Sequence, residues 1–226
     1  MKRVFGKKSE LIFPFKKIPL NHPKGFKNNS YKVYDYTLNE SKSPTFGVVR
    51  EGGRLHAARD LYYDIGEPIY AIADGIVKDV YFYYYNTYAI VIEHDYEYKE
   101  GHRLIVLYGE VSKEGIKVKV GDKVVQGQQI AEVGLLYNKK NEGKKDKSPY
   151  VLQPKPDKRG MLHIEMYTGE AIGKLSDSKV KYTDMLYAKS GKYKEGMSFQ
   201  RRKDLFDPLR LLEEMLENSI NQSLIK

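Results

Sequence analysis

Arg54-Leu55-His56-Ala57-Ala58-Arg59-Asp60, continued to Gly75-Ile76-Val77, is the stretch on which the reading turns. A histidine and an aspartate four residues apart offer a neutral imidazole and a carboxylate, a donor pair that suits zinc. Such a pair alone is weak, because chance produces many. What strengthens it is His163, far downstream in Gly160-Met161-Leu162-His163-Ile164-Glu165-Met166, where alternation of side-chain character reads as a strand. Between the two, residues 61–68 read as a turn-rich connector. Ile69-Tyr70-Ala71-Ile72-Ala73 reads as a short apolar run, and Asp74-Gly75 as a hairpin turn.

Outward from there the pattern is all-β. Residues 76–83 and 88–93 read as two strands joined by a turn near Asn86, and 103–108 as a third. Residues 117–120, 122–125 and 129–133 read as short strands punctuated by Gly121 and Gly127. No sustained helical period occurs in this region, so the spacing predicts a mainly β protein built as a compact antiparallel β-sandwich or barrel. The one helix is expected over 208–217, with Asp207 as N-cap, Pro208 as first residue, and Leu209, Leu212, Met215 and Leu216 on one face. Residues 1–45, with Pro14, Pro19, Pro23 and Pro44, read as an extended arm wrapping the core, with short strands at best and His22 on the surface.

The 226 residues allow one domain of ordinary size. The net charge of +9 favours anionic partners such as nucleic acid, acidic lipid surfaces or wall polymers. There is no cysteine, which excludes disulfides and thiol catalysis. The basic N-terminus lacks the apolar core of a signal peptide, and no apolar run is long enough for a transmembrane helix.

Several blocks together resemble the lysostaphin-type, LytM-like zinc endopeptidases, which cut peptide cross-links of bacterial cell walls. They are Phe46-Gly47, Arg50, His56, Asp60, then Gly66, Pro68, Ala71, Asp74, Gly75 and Val77, then Ile92-Glu93-His94, the segment Val118 to Ile130, Gly134, and the His163 strand. The likeness runs over roughly residues 46–212, and the ordered set is far more specific than any one motif. It implies zinc held by His56, Asp60 and His163, with water in the fourth position. It also implies a domain over 46–217 with insertions near 138–159 and 168–206, followed by a tail, 218–226.

Two departures accompany the matches. The family's catalytic histidine of the last motif falls on Met161, and its other histidine, in a Tyr-x-His block, falls on Glu110 of Tyr108-Gly109-Glu110. A thioether cannot transfer a proton, whereas a carboxylate can act as a base, so Glu110 is the candidate catalytic residue. His94 matches a family position that is neither ligand nor catalytic, and is expected to be structural. His102 is expected to be exposed. Glu165 shares the face of His163 and is read either as a partner of that ligand or as a packing residue. Tyr81, Tyr83, Tyr84 and Tyr85 are read as packing before groove lining. The basic tract 138–159 is read as a solvated loop before a substrate rim.

The resemblance therefore implies a zinc-dependent endopeptidase acting on peptidoglycan peptides, or a non-catalytic wall-binding or regulatory relative that keeps the metal pocket. Its partners would be wall peptides or anionic wall polymers, and its place the cell envelope or beyond, by an export route the sequence does not show. A basic nucleic-acid-binding protein is the weakest reading, because the charge lies in loops and no nucleic-acid motif occurs.

Overall fold

A computed structural model describes residues 10–26, 29–38, 44–49, 55–83, 86–135, 159–175 and 201–225. Arg50, Tyr84, Tyr85, the basic tract as far as residue 158, and residues 176–200 of the second insertion lie outside the described residues.

Strand β1 (Arg59–Asp64) is the first of a chain of antiparallel neighbours. It is followed in sequence by β2 (Pro68–Tyr70), β3 (Gly75–Phe82), β4 (Tyr88–Lys99), β5 (His102–Val111), β6 (Lys123–Val124), β7 (Gln129–Glu132), β8 (Arg159–Tyr167) and β9 (Leu205–Phe206). The larger sheet has seven strands in the order β1-β8-β5-β4-β3-β6, with β9 also paired to β8, and β2 and β7 form a separate two-stranded sheet. The architecture is mainly antiparallel β with one C-terminal helix, as the alternation predicts.

The period of two explains how one strand serves both core and site. In β8, Leu162, Ile164 and Met166 point into the main core, while Met161, His163, Glu165 and Tyr167 take the opposite face. In β1, Leu61 and Tyr63 join that core, which sends Asp60 and Tyr62 to the face of His163. The core is completed by Leu11, Phe13 and Phe15 of the arm, by Ile69, Ile130 and Ala131 of the small sheet, and by Leu211, Leu212, Met215 and Leu216 of the helix. Burying a side chain of this size removes roughly 1.5–3 kcal/mol of exposure cost.

Some expectations need correction. Residues 61–64 belong to β1 and are no connector; the turn comes at Gly66, with a φ of 85°. Asp74-Gly75 makes no two-residue hairpin, because the preceding strand pairs with β7 while β3 pairs with β4 and β6. Gly75 serves close approach instead: a Cβ there would lie 2.5 Å from the carbonyl oxygen of Glu93. Residues 117–120 form no strand, although Lys117 N–H donates to Ile130 and Gly121 N–H to Val77. β4 runs on to Lys99, six residues beyond expectation, as the outer half of a hairpin with β5.

The arm contains no strand among its described residues. It carries a 3₁₀ helix, Asn29–Tyr34, and it is stitched to the edge of β1. Leu20 N–H donates to Tyr62 O, and the Asn21 side chain donates to Asp60 O while accepting from Tyr62 N–H. Those bonds satisfy backbone groups that an edge strand would otherwise leave open. His22 is not on the surface: it is 3% exposed. Its Nδ1 accepts from Lys24 N–H, which directs Nε2 to Glu213 at 3.4 Å. The helix α1 spans Leu209–Asn221, four residues past the expected end. Ser219, whose Oγ accepts from Phe13 N–H at 2.8 Å, anchors that extra turn to the arm. Asp207 accepts from Leu209 N–H at 3.1 Å, the capping role expected of it, although the helix itself begins after Pro208. No helix among the described residues is long and apolar enough to cross a membrane.

Candidate metal centre

Asp60 on β1 and His163 on β8 are direct cross-strand partners, and His56 stands in the segment just before β1. Their donor atoms converge. His163 Nδ1 lies 3.1 Å from Asp60 Oδ1, His56 Nε2 lies 3.2 Å from the same oxygen, and the two ring nitrogens are 3.3 Å apart. All three side chains are buried, His56 at 6%, Asp60 at 4% and His163 at 7% exposure. Among the described residues this is the group of ligand-type side chains close enough together to hold a metal.

The far ring nitrogens are held too. His56 Nδ1 donates to the carbonyl of Thr45 at 2.8 Å, leaving Nε2 as the lone-pair donor. His163 Nε2 faces Glu165 Oε1 at 2.8 Å, leaving Nδ1 for the cluster. A metal-binding histidine is usually oriented in this way, its second nitrogen given to a carbonyl or a carboxylate. The donor set fits zinc. Three ligands at ~2.0–2.1 Å from a tetrahedral ion stand about 3.3 Å from one another.

The electrostatics follow from burial and crowding. Burial by itself raises the pKa of Asp60, but His56 and His163 outweigh it and hold the carboxyl well below its usual range. Burial by itself lowers that of His163, and Asp60 and Glu165 outweigh it in turn, raising the ring to about 9. Zinc takes up neutral imidazole, so binding would displace that proton. Glu165 is fully buried; burial pushes it up, and Arg201 and His163 bring it down to about 2. It accepts from Arg201 Nε at 2.6 Å, from Tyr83 OH at 3.3 Å and from Tyr167 OH.

Glu110 and Met161 flank the cluster without joining it. Gly109 is the cross-strand partner of His163, so Glu110 follows one residue later. There β5 bulges: Gly109 and Glu110 together face the single residue Ala89 on β4, and Glu110 takes a φ of 63°. A left-handed backbone costs an ordinary residue roughly 1–2 kcal/mol, and bulges beside sites re-aim a side chain in this manner. Glu110 is buried, and the Tyr83 phenol, raised mainly by its own burial, is raised further by the Glu165 and Glu110 carboxylates against the opposing charge of Arg201. Met161 pairs with Tyr62 across the strands and packs with Leu20, Tyr31 and Tyr62 in an apolar cluster.

The model of peptidase family M23 matches residues 54–151. Over these residues the chain is similar to peptidase family M23. The matched stretch includes His56, Asp60 and Glu110; His163 lies beyond its end, and the fold supplies it through β8. Among solved structures, the zinc-containing peptidase from Vibrio cholerae is similar at 26% identity over 50% of this chain, with a TM-score of 0.34. The catalytic domain of lysostaphin from Staphylococcus simulans is similar at 22% over 52% of this chain and 71% of its own, with a TM-score of 0.36. A mutant catalytic domain of the prophage-encoded M23 protein EnpA from Enterococcus faecalis is similar at 24% over 52% of this chain and 71% of its own, with a TM-score of 0.35. This chain spans 26% of the Vibrio peptidase. No curated protein matches the sequence.

His94 is structural. Nδ1 donates to Ala73 O at 2.9 Å and Nε2 accepts from Tyr108 OH at 2.9 Å, with the ring fully buried. His102 is exposed. Glu165 is the hydrogen-bonding partner of His163. Sequence reasoning missed Thr45 and Arg201. Thr45 acts through its carbonyl, which any residue type offers, so no side-chain signal exists. Arg201 lies 36 residues from Glu165 in a Lys-rich stretch that reads as surface.

Proposed function

We propose that the protein is a zinc-dependent endopeptidase acting on peptide cross-links of bacterial peptidoglycan. The observation that carries this reading is the triangle of His56 Nε2, Asp60 Oδ1 and His163 Nδ1, with sides of 3.1–3.3 Å, two of whose corners, His56 and Asp60, lie in the M23-matched residues. Three protein ligands leave one position open, which is the pattern of a catalytic rather than a structural zinc site. Bound zinc supplies Lewis acidity to the scissile carbonyl and to the attacking water.

The chain's own residues do the rest. Thr45 and Glu165 fix the two imidazoles so that one nitrogen of each faces the point where the metal would be held. Glu110 takes the proton of the attacking water and returns it to the leaving amine. An ionised carboxylate is acceptor-only, so it donates nothing to the developing oxyanion until protonated. Met161 donates nothing at any stage. Activity is therefore expected well below that of relatives with both histidines.

The apolar packing of Met161 favours one second reading, a non-catalytic wall-binding relative that retains the metal pocket. The net charge of +9 suits anionic wall polymers under either reading. A wall substrate places the site of action in the cell envelope or outside it. Cleavage of purified peptidoglycan peptides, with and without a chelator, tests the proposal: chelator-sensitive cleavage supports the peptidase, and no cleavage across a range of wall peptides and divalent metals leaves the non-catalytic relative.

A further inference from the structure

The described residues hold one buried arginine that reaches the neighbourhood of the ligands without being one. Arg201 is 1% exposed, yet it follows a long Lys-rich segment that gives no hint of an interior residue. Its Nε lies 2.6 and 2.7 Å from the two oxygens of Glu165. Its Nη2 donates to Tyr83 OH at 2.8 Å, and the guanidinium stands 5.8 Å from the centre of the Tyr83 ring. Both partners lead to one residue. Glu165 Oε1 is 2.8 Å from His163 Nε2, and the Tyr83 ring lies 5.6 Å from the His163 ring.

We infer that Arg201 is a positioning residue for the metal centre: it locks Glu165 and Tyr83 against His163, so that Nδ1 of His163 faces His56 and Asp60. This rests on the reading of those three residues as a zinc site. The physical case is steric and directional. A carboxylate on a two-carbon stem has rotamers to choose from, and the Arg201 Nε–H, shared between both carboxylate oxygens while Nη2 is held by Tyr83 OH, selects one of them. Tyr167 OH, also donated to Glu165, holds the same rotamer from the β8 side. The His163 ring is thereby fixed at its far nitrogen and along its flank, and its near nitrogen needs no reorganisation to bind.

A second consequence concerns the chain's organisation. The segment that follows the second insertion is part of the centre, although it lies well past the M23-matched residues. It is tied down locally: Arg202 is paired with Asp204 at 2.7 Å, Asp204 accepts from Gly169 N–H at 3.0 Å, and β9 pairs with β8 through Leu205 and Phe206. Those contacts set Arg201 at the rim of the site rather than in solvent.

The test is the zinc affinity of the full chain, measured by competition with a chromophoric chelator. Arg201→Met and Glu165→Gln are each expected to weaken zinc by about 10–100-fold, the usual loss when a ligand's hydrogen-bonding partner is removed. Because much of the arginine's action passes through the carboxylate, the loss in Arg201→Met/Glu165→Gln should be smaller than the product of the two single losses. A purely structural arginine predicts something else: lower thermal stability with parental zinc affinity, or a double variant whose loss is the product of the two single losses. Either result overturns the inference. Where Arg201→Met gives no cooperative melt, Arg201→Lys carries the test, since it keeps the charge and loses the planar pair of donors, Nε on Glu165 and Nη2 on Tyr83. It should bind zinc less tightly than the parent, and parental affinity in that variant rejects the role. If the parent itself binds no zinc while melting cooperatively, the underlying metal-site reading fails, and that result is distinct from failure of the Arg201 variants alone.

Discussion

Asp60 and His163 are opposite each other across β1 and β8, and Asp60 Oδ1 lies 3.1 Å from His163 Nδ1. Sheet register thus brings together two residues 103 apart in sequence. A slip of one residue would turn either side chain to the core face. The main core therefore enforces the site: Leu61, Tyr63, Leu162 and Ile164 are buried on the other side of the same two strands.

That coupling has a mutational signature. Asp60→Asn keeps the shape of the ligand and removes its charge from between two imidazoles. The expected outcome is a loss of zinc affinity with the fold retained, checked by metal titration and by the thermal melt. Unchanged affinity would mean that Asp60 is no ligand.

Glu110 makes a sharper case. Glu110→Gln keeps the bulge and the left-handed backbone, and removes only the ability to take a proton. Chelator-sensitive cleavage of wall peptides should fall by ~10²–10⁴-fold, the usual weight of general base catalysis, while zinc content stays at the parental value. A variant that cuts as fast as the parent puts the base elsewhere.

Met161 permits the reverse experiment. Met161 and His163 share a face of β8, so Met161→His places an imidazole beside the centre. It should raise the rate of cleavage at least tenfold, a lower bound on what a positioned base or acid contributes. The cost is a polar ring among Leu20, Tyr31 and Tyr62, about 1–3 kcal/mol of stability. Rate and thermal melt, measured together, separate the two effects. A stable Met161→His variant no faster than the parent would show that this position does not limit the reaction.

His94 sets a pH limit on the fold. Its burial brings the ring down from 6.5 to about 4, against opposing contributions from Ala73, Asp74 and Asp95. The folded state therefore holds neutral His94, while the unfolded chain takes up a proton below 6.5. The associated stability is present above that pH and is lost progressively as the pH falls towards 4. It amounts to about 3 kcal/mol at most. Denaturant titrations between these limits should show stability falling with acid, and His94→Gln should flatten the slope. An equal slope in parent and variant would contradict this account.

The sequence was most legible where one physical rule acts alone. Period-two alternation located β3, β4, β5 and β8, because each has one face in the core and the other elsewhere. Ligand chemistry singled out His56, Asp60 and His163, since few side-chain pairs suit zinc. Legibility ended where tertiary contacts decide. Residues 117–120 alternate as a strand does, yet they are joined to their neighbours by single hydrogen bonds and form no ladder. His22 sits beside a proline and a lysine, and its burial comes from tertiary partners, the Tyr36 ring and the helix residue Glu213, 191 positions away. Arg201 is hidden for the same reason: a charged residue is interior only where its partners are, and Glu165 and Tyr83 come from distant parts of the chain.

The most direct measurement is elemental analysis of the metal-loaded protein beside its His163→Ala variant. The account predicts about one zinc per parent chain, the load of a single three-ligand site, and a loss of most of that zinc in the variant. No zinc in a cooperatively folded parent, or zinc retained unchanged by His163→Ala, would contradict it.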